Sequence, residues 1–140
     1  MKLSANLGLL WSELPLLERV YKAKEKNFDA VEFQFPYEVD ANELKKAIDK
    51  INLPIIGINT IKGNVSKGDN GLNAVPSRVQ EARSAIDQAI EYAKVIGSKN
   101  IHFMCGITEQ NHNSLKTLVE NLQYAVSVSY THLTLPTIIT

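Results

Sequence analysis

The chain has 140 residues, 44% of them hydrophobic, and its fifteen basic and fifteen acidic side chains balance to a formal net charge of zero. That length supports one domain with a real core rather than two, and the balanced charge excludes the broad basic footprint of a nucleic-acid or anionic-membrane binder. A single cysteine, Cys105, excludes an internal disulfide framework and a cysteine-based zinc cluster, so a reducing, cytoplasmic setting is the expectation.

No run approaches the roughly 18 apolar residues of a membrane-spanning helix, and the opening Met1 to Trp11 lacks a signal-peptide core. Leu3 to Leu7 alternates as a short first strand, and Ser12 followed by Pro15 opens a helix through Leu17, Val20, Tyr21 and about Lys26. Phe28 to Phe35 is the second strand. Residues two apart share a face, so Ala30, Glu32 and Gln34 point one way while Val31, Phe33 and Phe35 point the other. The strand sits between two helical patterns. Its apolar row therefore wants covering helices, and its polar row marks a barrel interior or a site.

Pro36 ends that strand, and Asp40 with Glu43 forms a capping box for a helix bearing Leu44, Ala47, Ile48 and Ile51. Pro54 to Thr60 is a third strand. A long loop with Gly63, Gly68 and Gly71 then leads to Pro76 and a third helix, whose Val79, Ala82, Ile86, Ala89, Ile90, Ala93 and Ile96 recur at helical spacing before Gly97. Asn100 to Cys105 reads as strand four. A fourth helix follows, with the apolar stripe Leu115, Leu118, Val119, Leu122 and Val126 and a cap at Asn113 or Ser114. Four βα units in series predict a parallel sheet with helical crossovers.

From Val128 the sequence turns Thr-rich and loses the helical period. These letters resemble a translated sequencing-library adapter, so residues 1–127 are expected to be the native segment and 128–140 a non-native tail. A native fifth strand at Thr131 to Ile139 is the alternative.

Ser4 to Leu7, Ala30 to Tyr37 (Ala-Val-Glu-Phe-Gln-Phe-Pro-Tyr), Gly68 to Gly71, Val75 to Arg78 and Leu118 to Ala125 fall in the order and spacing of hydroxypyruvate isomerases. The chain resembles the first half of such an enzyme. The resemblance implies the first four βα units of a xylose isomerase-like (β/α)8 TIM barrel, a fold that needs about 250 residues. It also implies enediol isomerisation of a small hydroxy-carbonyl acid, in which a carboxylate moves a proton next to the carbonyl while a divalent cation, magnesium or manganese, or polar donors hold the oxyanion. In the family those carboxylates and ligands lie on strands five to eight. No catalytic residue, metal ligand or cofactor is therefore expected in this chain, which alone should be inactive.

What remains is one wall of the pocket. Strand ends at the C-terminal face of such a barrel meet the substrate, which implies substrate-binding roles for Asn6, Gln34, Tyr37, Asn59 and His102, with Arg78 as a cationic substitute. Relatives carry a tryptophan and an arginine in the long loop where this chain has Val65 and Asn70, although the loop could still serve as a lid. Each residue also has a plainer reading. Asn6 and Asn59 suit satisfied core amides, Glu32 a buried carboxylate held by polar neighbours, His102 a structural position and Arg78 an exposed helix turn. Trp11 and Cys105 read as packing residues.

The expected partners are a small hydroxy acid or sugar, with no nucleic acid or membrane, and homo-oligomers forming through open sheet edges. A sugar epimerase or inosose dehydratase of the same superfamily is the alternative enzyme. A flavodoxin-like binding or signalling module is the alternative from another class.

Overall fold

A computed structural model describes residues 1–132. Strands β1 (Ser4–Asn6), β2 (Ala30–Glu32), β3 (Ile55–Asn59) and β4 (Ile101–His102) alternate with helices α1 (Leu16–Glu25), α2 (Ala41–Ile51), α3 (Val79–Ile96) and α4 (His112–His132). The strands form one parallel sheet in the order β1-β2-β3-β4. The expected run of four βα units is thus present. A flavodoxin-like sheet has its first strand between the second and third, so the sequential order overturns that alternative. Among the described residues no helix is long and apolar enough to cross a membrane.

The chain divides into two compact units: Met1–Ile61 with Gln88–His102, and Lys62–Asp87 with the chain from Phe103 onward. The first carries the sheet. Ala5, Leu7, Val31, Phe33, Ile55 and Ile58 pack there against Val20 and Ala23 of α1, Leu44, Ala47 and Ile48 of α2, and Ala93 and Ile96 of α3. Each large aliphatic side chain buried in this way contributes roughly 1.5–3 kcal/mol. Asp40 starts α2 as expected, its Oδ1 accepting from the amides of Asn42 and Glu43 at 3.0 Å each.

The regular part of β2 is shorter than Phe28 to Phe35 because the ladder slips. Val31 pairs with Ile55, but Glu32 pairs with Gly57, so Ile56 is an extra residue on β3. The slip changes the parity of β3. Its fully buried residues, Ile55 and Ile58, are three apart instead of two. Beyond Glu32 the bonding continues irregularly, with Phe33 N donating to Gly57 O and Asn59 N to Gln34 O, both at 3.0 Å.

β4 is likewise shorter than Asn100 to Cys105. After His102 the chain leaves the ladder, and in the second unit Met104 and Cys105 run beside Gly71–Ala74, with Ala74 N donating to Cys105 O at 2.7 Å. Glycine is required where these segments meet: a Cβ on Gly71 would fall 2.5 Å from Met104 O and one on Gly106 2.3 Å from Gly71 O. Cys105 is exposed instead of packed.

α4 departs from expectation in three ways. Its N-terminal partner is Asn111, whose Oδ1 accepts from Ser114 N at 3.0 Å, not Asn113 or Ser114. Its buried face is polar and small, comprising Ser114, Thr117, Asn121 and Ala125, whereas Leu115, Val119, Leu122 and Val126 of the apolar stripe are exposed. The reason is a hydrogen-bonded seam, in which Asn121 Nδ2 donates to Asn73 O at 3.0 Å and Asn73 Nδ2 to Met104 O at 2.9 Å. Finally, the helix continues past Val128 to His132, with the Ser127 and Ser129 hydroxyls donating to Tyr124 O and Ala125 O, both at 2.7 Å. The remainder of the expected tail, and with it most of the alternative strand at Thr131 to Ile139, lies outside the described residues.

Candidate functional site

The C-terminal ends of the strands in the first unit border an open cleft of about 570 Å³. Asn6 from β1, Glu32 and Gln34 from β2 and its extension, Asn59 from β3, and Asn100 and His102 beside and on β4 supply its polar lining, and Ile56 and Ile101 part of its apolar surface. Four of the six sequence candidates, Asn6, Gln34, Asn59 and His102, are thus brought together.

The side chains of Glu32, Gln34, Asn59 and His102 have no hydrogen-bond or ion-pair partner among the described residues, and His102 is exposed while the other three are half-buried. Glu32 is therefore not the buried, partnered carboxylate of the plainer reading. Nor is Asn59 a satisfied core amide. The parity change on β3 explains why: with Ile55 and Ile58 both taken into the core, Asn59 comes out on the cleft side. Asn6 is already engaged, its Oδ1 accepting from Gly8 N at 3.0 Å.

Tyr37 and Arg78 are placed elsewhere. The Tyr37 hydroxyl donates to the main-chain carbonyl of Asn59, and its ring meets that of Tyr92 edge-on at 5.2 Å. Tyr37 braces the strand end from outside the cleft lining. The Tyr92 hydroxyl lies within hydrogen-bond distance of Pro36 O (2.9 Å) and Val39 O (2.8 Å). Burial raises both phenols above the ordinary tyrosine range, Tyr92 to about 12. Arg78 belongs to the second unit, where its guanidinium reaches Asp69 at 2.6 Å and Glu81 at 2.7 Å. Hydrogen bonds to Arg78 hold both carboxyls below their usual range. Arg78 is thus already paired with two carboxylates of its own loop and helix.

Three supporting residues carry no signal that spacing alone reveals. Arg19 of α1 clamps the loop after β1, donating to the carbonyls of Leu7 (2.9 Å), Ser12 (2.9 Å) and Leu14 (2.7 Å). Gly8 leaves room for the Gln34 side chain. Asn100 donates through Nδ2 to Ile56 O at 2.7 Å, fixing the extra residue of β3. Trp11, with φ of 55°, packs edge-on against Phe28 at 6.2 Å.

No group of three or more histidine, cysteine, aspartate or glutamate side chains that could hold a metal ion exists among the described residues. The donor set of the cleft, one carboxylate with four amides and an imidazole, suits hydrogen bonding to hydroxyl and carbonyl oxygens and does not fit a divalent-metal centre.

A parallel, sequentially ordered sheet with polar strand ends defines half of a barrel wall, and the family comparison agrees: residues 20–132 match the xylose isomerase-like TIM barrel model, and the chain belongs to that family. It is 36% identical over 127 residues to a 2-oxo-tetronate isomerase of Haemophilus influenzae, covering 89% of this chain and 49% of that protein. It is 37% identical over 131 residues to the hydroxypyruvate isomerase of Escherichia coli, covering 91% and 51%. The chain spans about half the length of these curated relatives. Among solved structures, a Brucella melitensis protein described as an AP endonuclease, family 2, superposes with a TM-score of 0.86 at 35% identity, over 94% of this chain and 52% of that one. A D-allulose 3-epimerase from Methylomonas sp. superposes at 0.70 with 11% identity, covering 92% and 48%, a likeness of fold alone.

Proposed function

We propose that this chain forms the first half of an isomerase acting on a small hydroxy-carbonyl acid of the hydroxypyruvate and tartronate semialdehyde type, by proton transfer through an enediol. The observation that carries the proposal is the row of unpartnered polar side chains, Glu32, Gln34, Asn59 and His102, at the strand ends. Such groups orient a polyoxygenated substrate, and the chain's 36–37% identity to named isomerases supports that chemistry.

Proton transfer between adjacent carbons needs a base on one side and a donor for the oxyanion on the other. Among the described residues the cleft holds one carboxylate, Glu32. In this reading the proton-moving carboxylates, and the magnesium or manganese ion that would assist them, belong to the second half of a complete barrel. The 140-residue chain is inactive alone, and the complete enzyme is cytoplasmic. A sugar epimerase is the second reading, favoured by one observation: among the described residues neither lysine nor arginine lines the cleft to receive a carboxylate. The same absence disfavours a phosphodiester substrate.

A chimera joining residues 1–127 to the second half of the E. coli hydroxypyruvate isomerase tests the proposal. Proton NMR should show hydroxypyruvate conversion by the chimera and none by the 140-residue chain. A folded chimera that epimerises ketoses and leaves hydroxypyruvate untouched would establish the second reading, and turnover by the chain alone would overturn its inactivity.

A further inference from the structure

We infer that Glu32 acts as an anion filter, making this wall bind the hydroxyl end of the substrate and turning the substrate's own carboxylate toward the opposite side of the pocket. The inference rests on the cleft being the substrate pocket, as proposed above, and goes beyond it by assigning which end of the molecule this wall receives.

The charge pattern of the lining carries it. Glu32 is the only carboxylate there, half-buried and without an ion pair or hydrogen-bond partner among the described residues. Its neighbours along the wall include the neutral amides of Asn6, Gln34, Asn59 and Asn100, and among the described residues no lysine or arginine lines the cleft. A carboxylate with both oxygens open accepts hydrogen bonds from two hydroxyl groups, and a charged acceptor makes stronger bonds than a neutral one. The same oxygens repel a second carboxylate, and a half-buried setting screens that repulsion less than bulk water does.

The apparent cation of the loop does not reverse this pattern. Arg78 lies in the second unit and is already bound to Asp69 and Glu81. His102 is exposed, and the two amide side chains of Gln34 and Asn59 offer N–H donors and carbonyl acceptors alike, which suits a polyol and gives an anion no net charge to pair with.

The test uses the 140-residue chain and two probes that differ at one end, erythritol and D-erythronate, followed by amide shifts at Gln34, Asn59 and His102 at pH 7. Erythritol should bind at least ~10-fold more tightly than erythronate. Glu32→Gln, which keeps the side chain's size, should bring the two within about 2-fold, chiefly by tightening erythronate. Equal or tighter binding of erythronate to the unsubstituted chain overturns the inference, as does an unchanged ratio in Glu32→Gln or the absence of shifts with either probe. The unsubstituted comparison does not depend on how the variant folds. These outcomes are also separable from the chimera assay: turnover of hydroxypyruvate alongside preferred erythronate binding would remove the filter and leave the isomerase reading standing.

Discussion

The Gln34 side chain lies directly on Gly8: a Cβ added at Gly8 would meet Gln34 Cγ at 2.5 Å and Cβ at 2.8 Å. Because the clash involves the root of the Gln34 side chain, rotation at its tip cannot relieve it. Gly8→Ala should therefore destabilise the chain by ~1–3 kcal/mol and shift the Gln34 side-chain amide resonances. A Gly8→Ala protein with an unchanged urea midpoint and unchanged Gln34 signals would show that the contact is not held in solution.

Arg19 should act as a clamp through geometry as well as charge. Its three carbonyl bonds need a planar fork, and a lysine ammonium cannot reproduce that arrangement. Arg19→Lys and Arg19→Ala should both lower stability by roughly 2–3 kcal/mol, with lysine recovering under half of the loss. Urea denaturation measures both variants side by side.

Alkaline pH should loosen the Tyr37–Tyr92 brace. Both phenols titrate higher in the folded chain than in the unfolded one, Tyr92 at about 12. The folded state thus favours the protonated phenols, and their contribution is complete below the unfolded tyrosine value of ~10. It is lost as pH rises toward and beyond 12. The urea midpoint should fall across that window, and a Tyr37→Phe, Tyr92→Phe double variant should show a shallower decline.

The loop around Asp69 should respond to acid in the opposite sense. Asp69 and Glu81 are held below their usual values by hydrogen bonds to Arg78. Their contribution is present above the unfolded carboxylate range of ~4 and disappears as pH falls through the lower folded values. Asn64 N donates to Asp69 Oδ2 at 2.6 Å, so the Asn64 amide resonance should stay constant from pH 7 to ~4 and move only below that. Arg78→Ala should shift the transition upward.

The exposed apolar stripe of α4 should drive self-association. Leu115, Leu122 and Val126 are 61%, 38% and 54% exposed, enough to form a contiguous sticky surface along one helix. Replacing all three with glutamine should raise the monomer fraction in sedimentation velocity while costing under ~0.5 kcal/mol per site. If association persists unchanged, the open edges of β1 and β4 become its source.

The sequence revealed the order of elements because each βα unit carries its own punctuation: Pro15, Asp40 and Pro76 at helix starts and β-branched runs between them. It revealed the polar strand ends for the same local reason, since alternation around Glu32 needs no knowledge of the rest of the chain. The face buried by α4 was a different matter. Periodicity locates an apolar stripe but not what covers it, and the Asn121 to Asn73 hydrogen bond joins residues 48 positions apart. Gly8 and Arg19 were hidden likewise. Gly8 acquires its role from Gln34 and Arg19 from three carbonyls, relationships that exist only once the chain has folded.

The extra residue at Ile56 has an evolutionary consequence. Because the direction of Asn59 depends on Ile56 staying unmatched in β3, a change that drew Ile56 into a regular ladder without removing a residue would exchange the places of Asn59 and Ile58, moving an amide into oil and an isoleucine into water. Loss of the Ile56 codon would not, since Gly57 already pairs with Glu32 and every residue after it would keep its side. Among descendants that keep the pocket, β3 should therefore be found either bulged at its present length or regular and one residue shorter.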